Sequence, residues 1–149
     1  MLEMGKTQKT RIASYALIMH EDKVLLCRIS KEIPIFEGQW TLPGGGIDFG
    51  EKPQNAMIRE VFEETGLKVK SSKIIDVDSI IITNDQEDFH SVRIIYSAIT
   101  ESYDTRPEIN GTTDLAKWHY LRDCDDLRLV DLAKTGISLL KEQHAKSIN

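Results

Sequence analysis

Three glutamates, Glu60, Glu63 and Glu64, lie close together in a segment that reads as an α-helix. At the spacing i, i+3 and i+4 their side chains project from one face of that helix. Like charges at this spacing destabilise a helix, and negative charge near its carboxyl-terminal end opposes the helix dipole. A cation held between the carboxylates explains the arrangement. Oxygen ligands suit Mg2+, which keeps bound waters and usually accompanies substrate phosphates.

An isolated acidic helix face is more often simply solvated, so the glutamates alone leave both interpretations open. A run of three glycines, Gly44, Gly45 and Gly46, precedes the helix and favours the metal interpretation. Glycines allow positive φ angles and close backbone approach, which makes Gly45 and Gly46 candidates for substrate binding. A bound metal lowers the pKa of water, and a free carboxylate serves as a general base. Together these residues predict metal-assisted hydrolysis at phosphorus.

A predicted helix from Lys52 to Thr65 positions the glutamates. Pro53 suits its first turn, and Gly66 suits the left-handed position just past its end. The apolar side of the helical wheel consists of Ile58, Val61, Phe62 and Thr65. We expect that side to enter the core and the glutamates to face an open site.

The rest of the chain predicts a mixed sheet around this helix. Apolar or β-branched runs predict strands at 14–19, 23–30, 40–43, 74–82, 91–99 and 116–121. A last helix is expected to begin at Asp125 or Asp126 and to end near residue 146. Its predicted apolar face consists of Leu129, Val130, Ala133, Ile137 and Leu140. This order predicts an α/β fold, an α/β/α sandwich with a mixed β-sheet and helices on both faces.

The length of 149 residues suits a single domain, expected over 12–149 after a flexible tail at 1–11. The net charge of -5 argues against nucleic acid or a membrane as the main partner. Cys27 lies in an apolar run and is expected to be a buried core thiol. Because the chain shows no disulfide framework, signal peptide or membrane span, a cytoplasmic location is expected. Monomer and homodimer both stay open.

From Gly45 to Leu67 the chain matches the pattern G-x5-E-x7-R-E-U-x-E-E-x-G-U at every fixed position, where U is a bulky aliphatic residue. This stretch resembles the complete Nudix box. The residues from Trp40 to Gly45 resemble the usual lead-in to the box, and those from Leu25 to Arg28 resemble the second strand of the family. The resemblance implies a Nudix hydrolase, which uses Mg2+ or Mn2+ to cleave the pyrophosphate bond of a nucleoside diphosphate linked to another moiety.

The resemblance also implies roles within the box. The metal ligands would be the carbonyl of Gly44 and the carboxylates of Glu60, Glu63 and Glu64. One of these glutamates would also act as base, and Arg59 would orient them, so Glu63, Glu60 and Arg59 form the expected catalytic set. Glu51 would tie the loop to the helix, and Gly66 would end the helix.

The sequence narrows the substrate less than it narrows the reaction. The proline associated with ADP-ribose hydrolases, the tyrosine associated with dinucleoside polyphosphate hydrolases and the S-Q-P-W-P motif of NADH hydrolases are all absent. These absences favour a MutT-like (deoxy)nucleoside triphosphate pyrophosphohydrolase. The alternative is an ADP-ribose or nucleotide-sugar pyrophosphatase, and a third interpretation is a non-catalytic module that senses a nucleotide. In each case the partner is a small-molecule nucleotide.

Residues outside the box leave alternatives open. Arg28 and Arg93 are candidates for contacts with substrate phosphates, although a salt-bridged role fits each as well. Members of the family often add a further carboxylate from the long loop that follows the predicted strand at 91–99. Glu101, Asp104 and Glu108 all lie in that loop, and the pattern does not choose between them.

Overall fold

The computed structural model of the protein describes residues 5–148. Its strands are β1 (Thr7–His20), β2 (Lys23–Ile29), β3 (Trp40–Thr41), β4 (Gly44–Gly46), β5 (Val69–Thr83), β6 (Glu87–Thr100) and β7 (Thr113–Tyr120). Its helices are α1 (Pro53–Thr65), between β4 and β5, and α2 (Asp131–Ile148), after β7. Short 3-10 helices cover Pro34–Phe36 and Leu121–Asp126.

The seven strands form one mixed sheet in the order β3-β2-β1-β6-β5, with β4 paired to β1 and β7 paired to β2. Among the described strand-to-strand pairings only β1–β6 is parallel, and an isolated parallel bridge joins Trp40 to Leu129. On β1, Ile18 packs in the cluster that contains Val61 of α1, whereas its neighbour Leu17 packs in the cluster that contains Ile137 of α2. Successive strand side chains point to opposite faces. The helices therefore cover both faces, which confirms the predicted α/β/α sandwich.

The first strand begins earlier than the sequence predicts. Residues 7–11 belong to β1 and pair with β6 from Thr7 opposite Glu87 onward, so the expected tail is wrong for them. Residues 1–4 of that tail lie outside the described residues. The side chains of 7–11 are exposed and polar, which is why their pattern resembles a tail. Their order comes from backbone hydrogen bonds that β6 supplies.

Helix α1 has the predicted bounds within one residue, and Gly66 ends it with φ of 78°. Its buried side differs from the prediction. Glu64 is only 3% exposed, whereas Phe62 is 43% exposed. The helix packs against β1 and β4, which draws Glu64 towards the sheet. The expected division of the helix is therefore wrong for Glu64 and Phe62, whereas Val61 and Thr65 are buried as predicted.

Helix α2 starts at Asp131 instead of Asp125 or Asp126. The delay has a backbone cause, because the N–H of Trp40 donates to the carbonyl of Arg128 and the N–H of Val130 donates to the carbonyl of Trp40. This pairing with β3 holds the segment before the helix extended. Residues Ala133, Ile137 and Leu140 are buried as predicted.

Cys27 is fully buried, as predicted, in the cluster on the α1 side of the sheet. Neither α1 nor α2, over the residues that the structure describes, is long and apolar enough to cross a membrane.

Candidate active site

The three glycines of β4 bring the backbone of the sheet close to α1. They pair with Ala13, Ser14 and Tyr15 of β1. Gly44 has φ of 145°, and a Cβ there would lie 2.6 Å from the Cα of Tyr15. A Cβ on Gly45 would lie 2.7 Å from the carboxyl carbon of Glu60. A side chain at Gly44 would collide with β1, and one at Gly45 would push the carboxylate of Glu60 away, so glycine permits the approach.

Arg59 donates hydrogen bonds to three of the carboxylates in the box. Its Nε and Nη2 donate to the two carboxylate oxygens of Glu51, both at 2.9 Å. Its Nη1 donates to Glu60 at 2.9 Å and to Glu63 at 3.4 Å, and its Nη2 also donates to the carbonyl of Gly46 at 3.2 Å. One guanidinium thus connects the loop before α1, strand β4 and the glutamates of α1.

The ion pair between Arg59 and Glu51 shifts the pKa of both groups. The hydrogen bonds from Arg59, together with the one from the N–H of Asp48, lower the pKa of Glu51 to about 2. The hydrogen bond that Arg59 donates to Glu51, followed by the one that it donates to Glu60, raises the pKa of Arg59. Both groups therefore stay charged at neutral pH, and a bidentate arginine–carboxylate pair fixes orientation as well as distance.

Glu64 is buried and incompletely bonded. Its Oε2 has no hydrogen-bond partner among the described residues. Burial raises the pKa of Glu64 well above its ordinary value, and the charges of Glu60 and Glu108 raise it further, partly offset by the N–H of Gly44. A buried carboxylate is costly unless a proton or a cation compensates it. The orphaned oxygen beside a second carboxylate is therefore a place that fits a divalent metal.

Glu108 is one of the three carboxylates that the sequence leaves open in the loop between β6 and β7. Its charge raises the pKa of both Glu64 and Cys27. Glu108 itself lines a second pocket, beside Ser30 and Gly111. The hydroxyl of Thr113 donates to Glu108 at 2.9 Å and holds it there. Among the described loop carboxylates, Glu108 is the one whose charge reaches Glu64.

Among residues 5–148, no three carboxylate, imidazole or thiol side chains converge tightly enough to hold one ion as they stand. Arg59 accounts for this, because it holds Glu60 and Glu63 on its own guanidinium. The donor set is of the right chemistry for Mg2+ or Mn2+.

The carboxylates open into a cleft of about 860 Å³. Gly44, Gly45, Gly46, Glu60 and Glu64 line one end, whereas Glu63 is not among its described lining residues. The far end is largely apolar and is lined by Ile33, Ile35, Phe36, Ile80, Ile82 and Phe89. A volume in this range suits a small-molecule site with a few polar groups at one end.

The two arginines outside the box lie in different places. Arg93 lines the cleft but donates to both carboxylate oxygens of Asp78 at 2.7 Å and to Asp131 at 2.8 Å. The hydrogen bonds that it donates to these carboxylates raise the pKa of Arg93. Arg28 donates to Asp114 at 2.7 Å and is not among the described residues that line the cleft. The salt-bridged interpretation therefore fits the structure for both.

Sequence patterns do not identify Arg11, Tyr15 and Asp131 as cleft residues, although the structure places all three there. Arg11 falls in the segment read as a tail, and Asp131 lies five residues past the predicted helix cap. The alternation of side chains along β1 is the signal that could have found the first two, because residues 11, 13 and 15 share one face.

The family model of the NUDIX domain matches residues 9–142. The chain belongs to the NUDIX family.

Curated relatives of this Nudix chain match a limited stretch. The nucleoside triphosphatase NudI of Escherichia fergusonii is 41% identical over 58 residues, which cover 39% of this chain and 41% of that protein. NudI of Escherichia coli is 38% identical over 58 residues with the same coverage. The match thus spans about two-fifths of the length of these relatives.

Solved structures match over most of this Nudix chain. A MutT NUDIX hydrolase from Burkholderia pseudomallei has a TM-score of 0.74 and 27% identity, and the match covers 87% of this chain and 97% of the other. The NUDIX domain of Shewanella oneidensis NrtR, solved with ADP ribose, has a TM-score of 0.73 and 23% identity, with coverage of 93% and 90%. The fold of the family is therefore present across most of the chain.

Proposed function

We propose that this chain is a Mg2+-dependent or Mn2+-dependent pyrophosphohydrolase of MutT type, which hydrolyses a (deoxy)nucleoside triphosphate. The observation that carries the proposal is the buried, unpartnered oxygen of Glu64, which lines a large cleft together with Glu60. A polyphosphate needs positive charge among these carboxylates, and a divalent ion supplies it.

The proposed metal ligands are the carbonyl of Gly44 and the carboxylates of Glu60, Glu63 and Glu64. The ion supplies charge neutralisation at the phosphate oxygens and a more acidic water. Arg59 orients Glu60 and Glu63 before the ion binds and keeps Glu51 against the helix. One glutamate that is not fully used as a ligand accepts the proton of the attacking water.

The glycine strand provides the surface on which the phosphates lie. Gly45 and Gly46 present bare backbone to the cleft, so a phosphate chain can approach more closely than any side chain would permit. Glu108, held by Thr113, adds negative charge beside Glu64 and serves as a further ligand or as a support for one. The apolar far end of the cleft accepts the nucleobase.

The triphosphate is favoured because the curated relatives are named nucleoside triphosphatases and because the sequence lacks the marks of other Nudix subfamilies. An ADP-ribose or nucleotide-sugar pyrophosphatase is the second candidate. The volume of the cleft favours it, because about 860 Å³ lies towards the upper range of small-molecule sites.

The test is a panel of nucleoside triphosphates, ADP-ribose and nucleotide sugars, incubated with the purified protein and either Mg2+ or Mn2+. We expect nucleoside monophosphate and pyrophosphate from a triphosphate, no turnover in EDTA, and recovery when Mg2+ is returned. Products from ADP-ribose alone would select the second candidate. Tight binding without products from any compound would instead support the nucleotide-sensing interpretation.

A further inference from the structure

Arg11 reaches the cleft because β1 starts upstream of its apolar segment. In the parallel ladder Arg11 lies opposite Ser91, and Ala13 lies opposite Arg93. Alternate residues of a strand share a face, so Arg11 lies on the same face as Tyr15. Arg11, Ser91 and Arg93 all line the cleft.

The guanidinium of Arg11 lies over Gly46 and is held by few contacts. Its Nη1 donates to the hydroxyl of Tyr15 at 3.3 Å. A Cβ on Gly46 would lie 3.3 Å from its Nη2 and 3.4 Å from its Nε. Among residues 5–148, Arg11 forms no ion pair with a carboxylate. Most of its five N–H donors are thus free, and its charge is not neutralised.

The other two arginines near the cleft, Arg59 and Arg93, already form ion pairs with carboxylates. Arg59 is bound to Glu51, Glu60 and Glu63, and Arg93 is bound to two aspartates. Arg93 together with its partners carries a net negative charge, which would repel a phosphate. Of the described basic residues that line the cleft, Arg11 is the one with charge available to an anion.

The glycine strand separates Arg11 from the glutamates by backbone alone. A side chain on Gly45 would point at Glu60, and a side chain on Gly46 would point at Arg11, because successive strand residues face opposite sides. A chain of phosphates lying along this strand would therefore have the carboxylate cluster on one side and a guanidinium on the other.

We infer that Arg11 binds the phosphate chain of the substrate, with the hydroxyl of Tyr15 and the bare backbone of Gly46 holding its guanidinium in place. The inference rests on the proposed function in that it takes the substrate to be a polyphosphate. Arg11 is a binding residue, and its fork of donors matches the oxygens of a phosphoryl group.

The experiment measures binding of inorganic tripolyphosphate in Mg2+ by isothermal titration calorimetry. Loss of a hydrogen bond to a charged group predicts a Kd for Arg11→Gln about ten to a hundred times that of the natural chain. Arg11→Lys should fall between the two, because lysine keeps the charge but lacks the fork. Gly46→Ala should also weaken binding, since its methyl group displaces the guanidinium. The control is Arg122→Gln, whose guanidinium lies over the ring of Tyr120, and it should bind normally.

A second readout separates this inference from the proposed function. If a nucleoside triphosphate is hydrolysed, Arg11→Gln should raise KM in proportion to its loss of tripolyphosphate binding and change kcat by less than about twofold. If the natural chain binds tripolyphosphate through Arg11 but hydrolyses nothing in the panel, the proposed function fails and the inference stands. Equal binding by the natural chain and Arg11→Gln overturns the inference, as does the absence of binding by the natural chain. Equal thermal midpoints exclude a folding defect as the cause.

Discussion

The two ends of the cleft are built differently. The carboxylate end comes from one continuous stretch, in which β4 and α1 carry the glycines and glutamates between Gly44 and Glu64. The far end is assembled from β5, β6, the segment around Pro34–Phe36 and the start of α2, which are distant in sequence. A contiguous site leaves a sequence motif, whereas an assembled site leaves only scattered side chains. The proposed chemistry is therefore readable from the motif, and the selectivity is not.

Two arginines hold carboxylates near the cleft, and their ion-pair networks differ in burial: Arg93 is one of the lining residues, and Arg59 binds the lining residue Glu60. Arg59 binds Glu63 at 3.4 Å, and that carboxylate is 48% exposed. Arg93 has only 4% of its side chain exposed and binds both of its partners within 2.8 Å. The first arrangement leaves the carboxylate of Glu63 partly solvated. The second braces β5, β6 and α2 against one another.

The largest expected effect is at the carboxylate end. Glu63→Gln and Glu64→Gln should each lower kcat by roughly a hundredfold to ten-thousandfold, because a proposed metal ligand or base is lost. Steady-state hydrolysis of the best substrate from the panel measures this. Glu142→Gln, an exposed position on α2, is the matched control. Near-normal turnover in both variants would refute the metal assignment.

At the far end the corresponding effect should be on folding. Arg93→Gln leaves Asp78 and Asp131 without their shared cation and should lower the free energy of unfolding by about 3 kcal/mol. Urea denaturation measures it. Arg28→Gln, which breaks the half-exposed pair with Asp114, should cost less than about 1 kcal/mol. Equal losses of unfolding free energy in the two variants would show that the buried Arg93 network stabilises the fold no more than the half-exposed pair of Arg28 and Asp114.

A smaller effect is expected from the apolar wall of the far end. Phe89→Ala should raise KM about tenfold with little change in kcat, because the nucleobase loses the same contact area in the ground state and in the transition state. The measurement is KM and kcat for substrates with different bases. Ile109→Ala, at an exposed loop position outside the described cleft lining, is the control. A fall in kcat with unchanged KM would contradict the division between the two ends.

The smallest effect concerns acid stability. The pKa of Glu51 is lowered in the folded protein to about 2 from an ordinary value of 4.5, so its pair with Arg59 stabilises the fold above pH 4.5. That contribution is lost as the pH falls from about 4.5 to about 2. Glu51→Gln should therefore have a flatter dependence of thermal midpoint on pH in this window. Parallel curves for the two proteins would contradict the lowered pKa.

Local structure in this chain follows from local residue patterns. Pro53 and Gly66 bracket α1 as predicted, and the strands around it occur where β-branched runs predict them. The prediction fails where order comes from a distant partner. Residues 7–11 are strand because β6 pairs with them, and α2 starts late because β3 pairs with the residues before it.

The residues 44–67 alone were enough to assign the family and to nominate the glutamates, because helical periodicity and glycine conformation are local properties. The burial of Glu64, the place of Glu108, the brace at Arg93 and the exposed guanidinium of Arg11 emerge only when separate strands and helices meet. Each depends on burial and on charges brought together across the fold. Those quantities are properties of packing, which no single stretch of sequence contains.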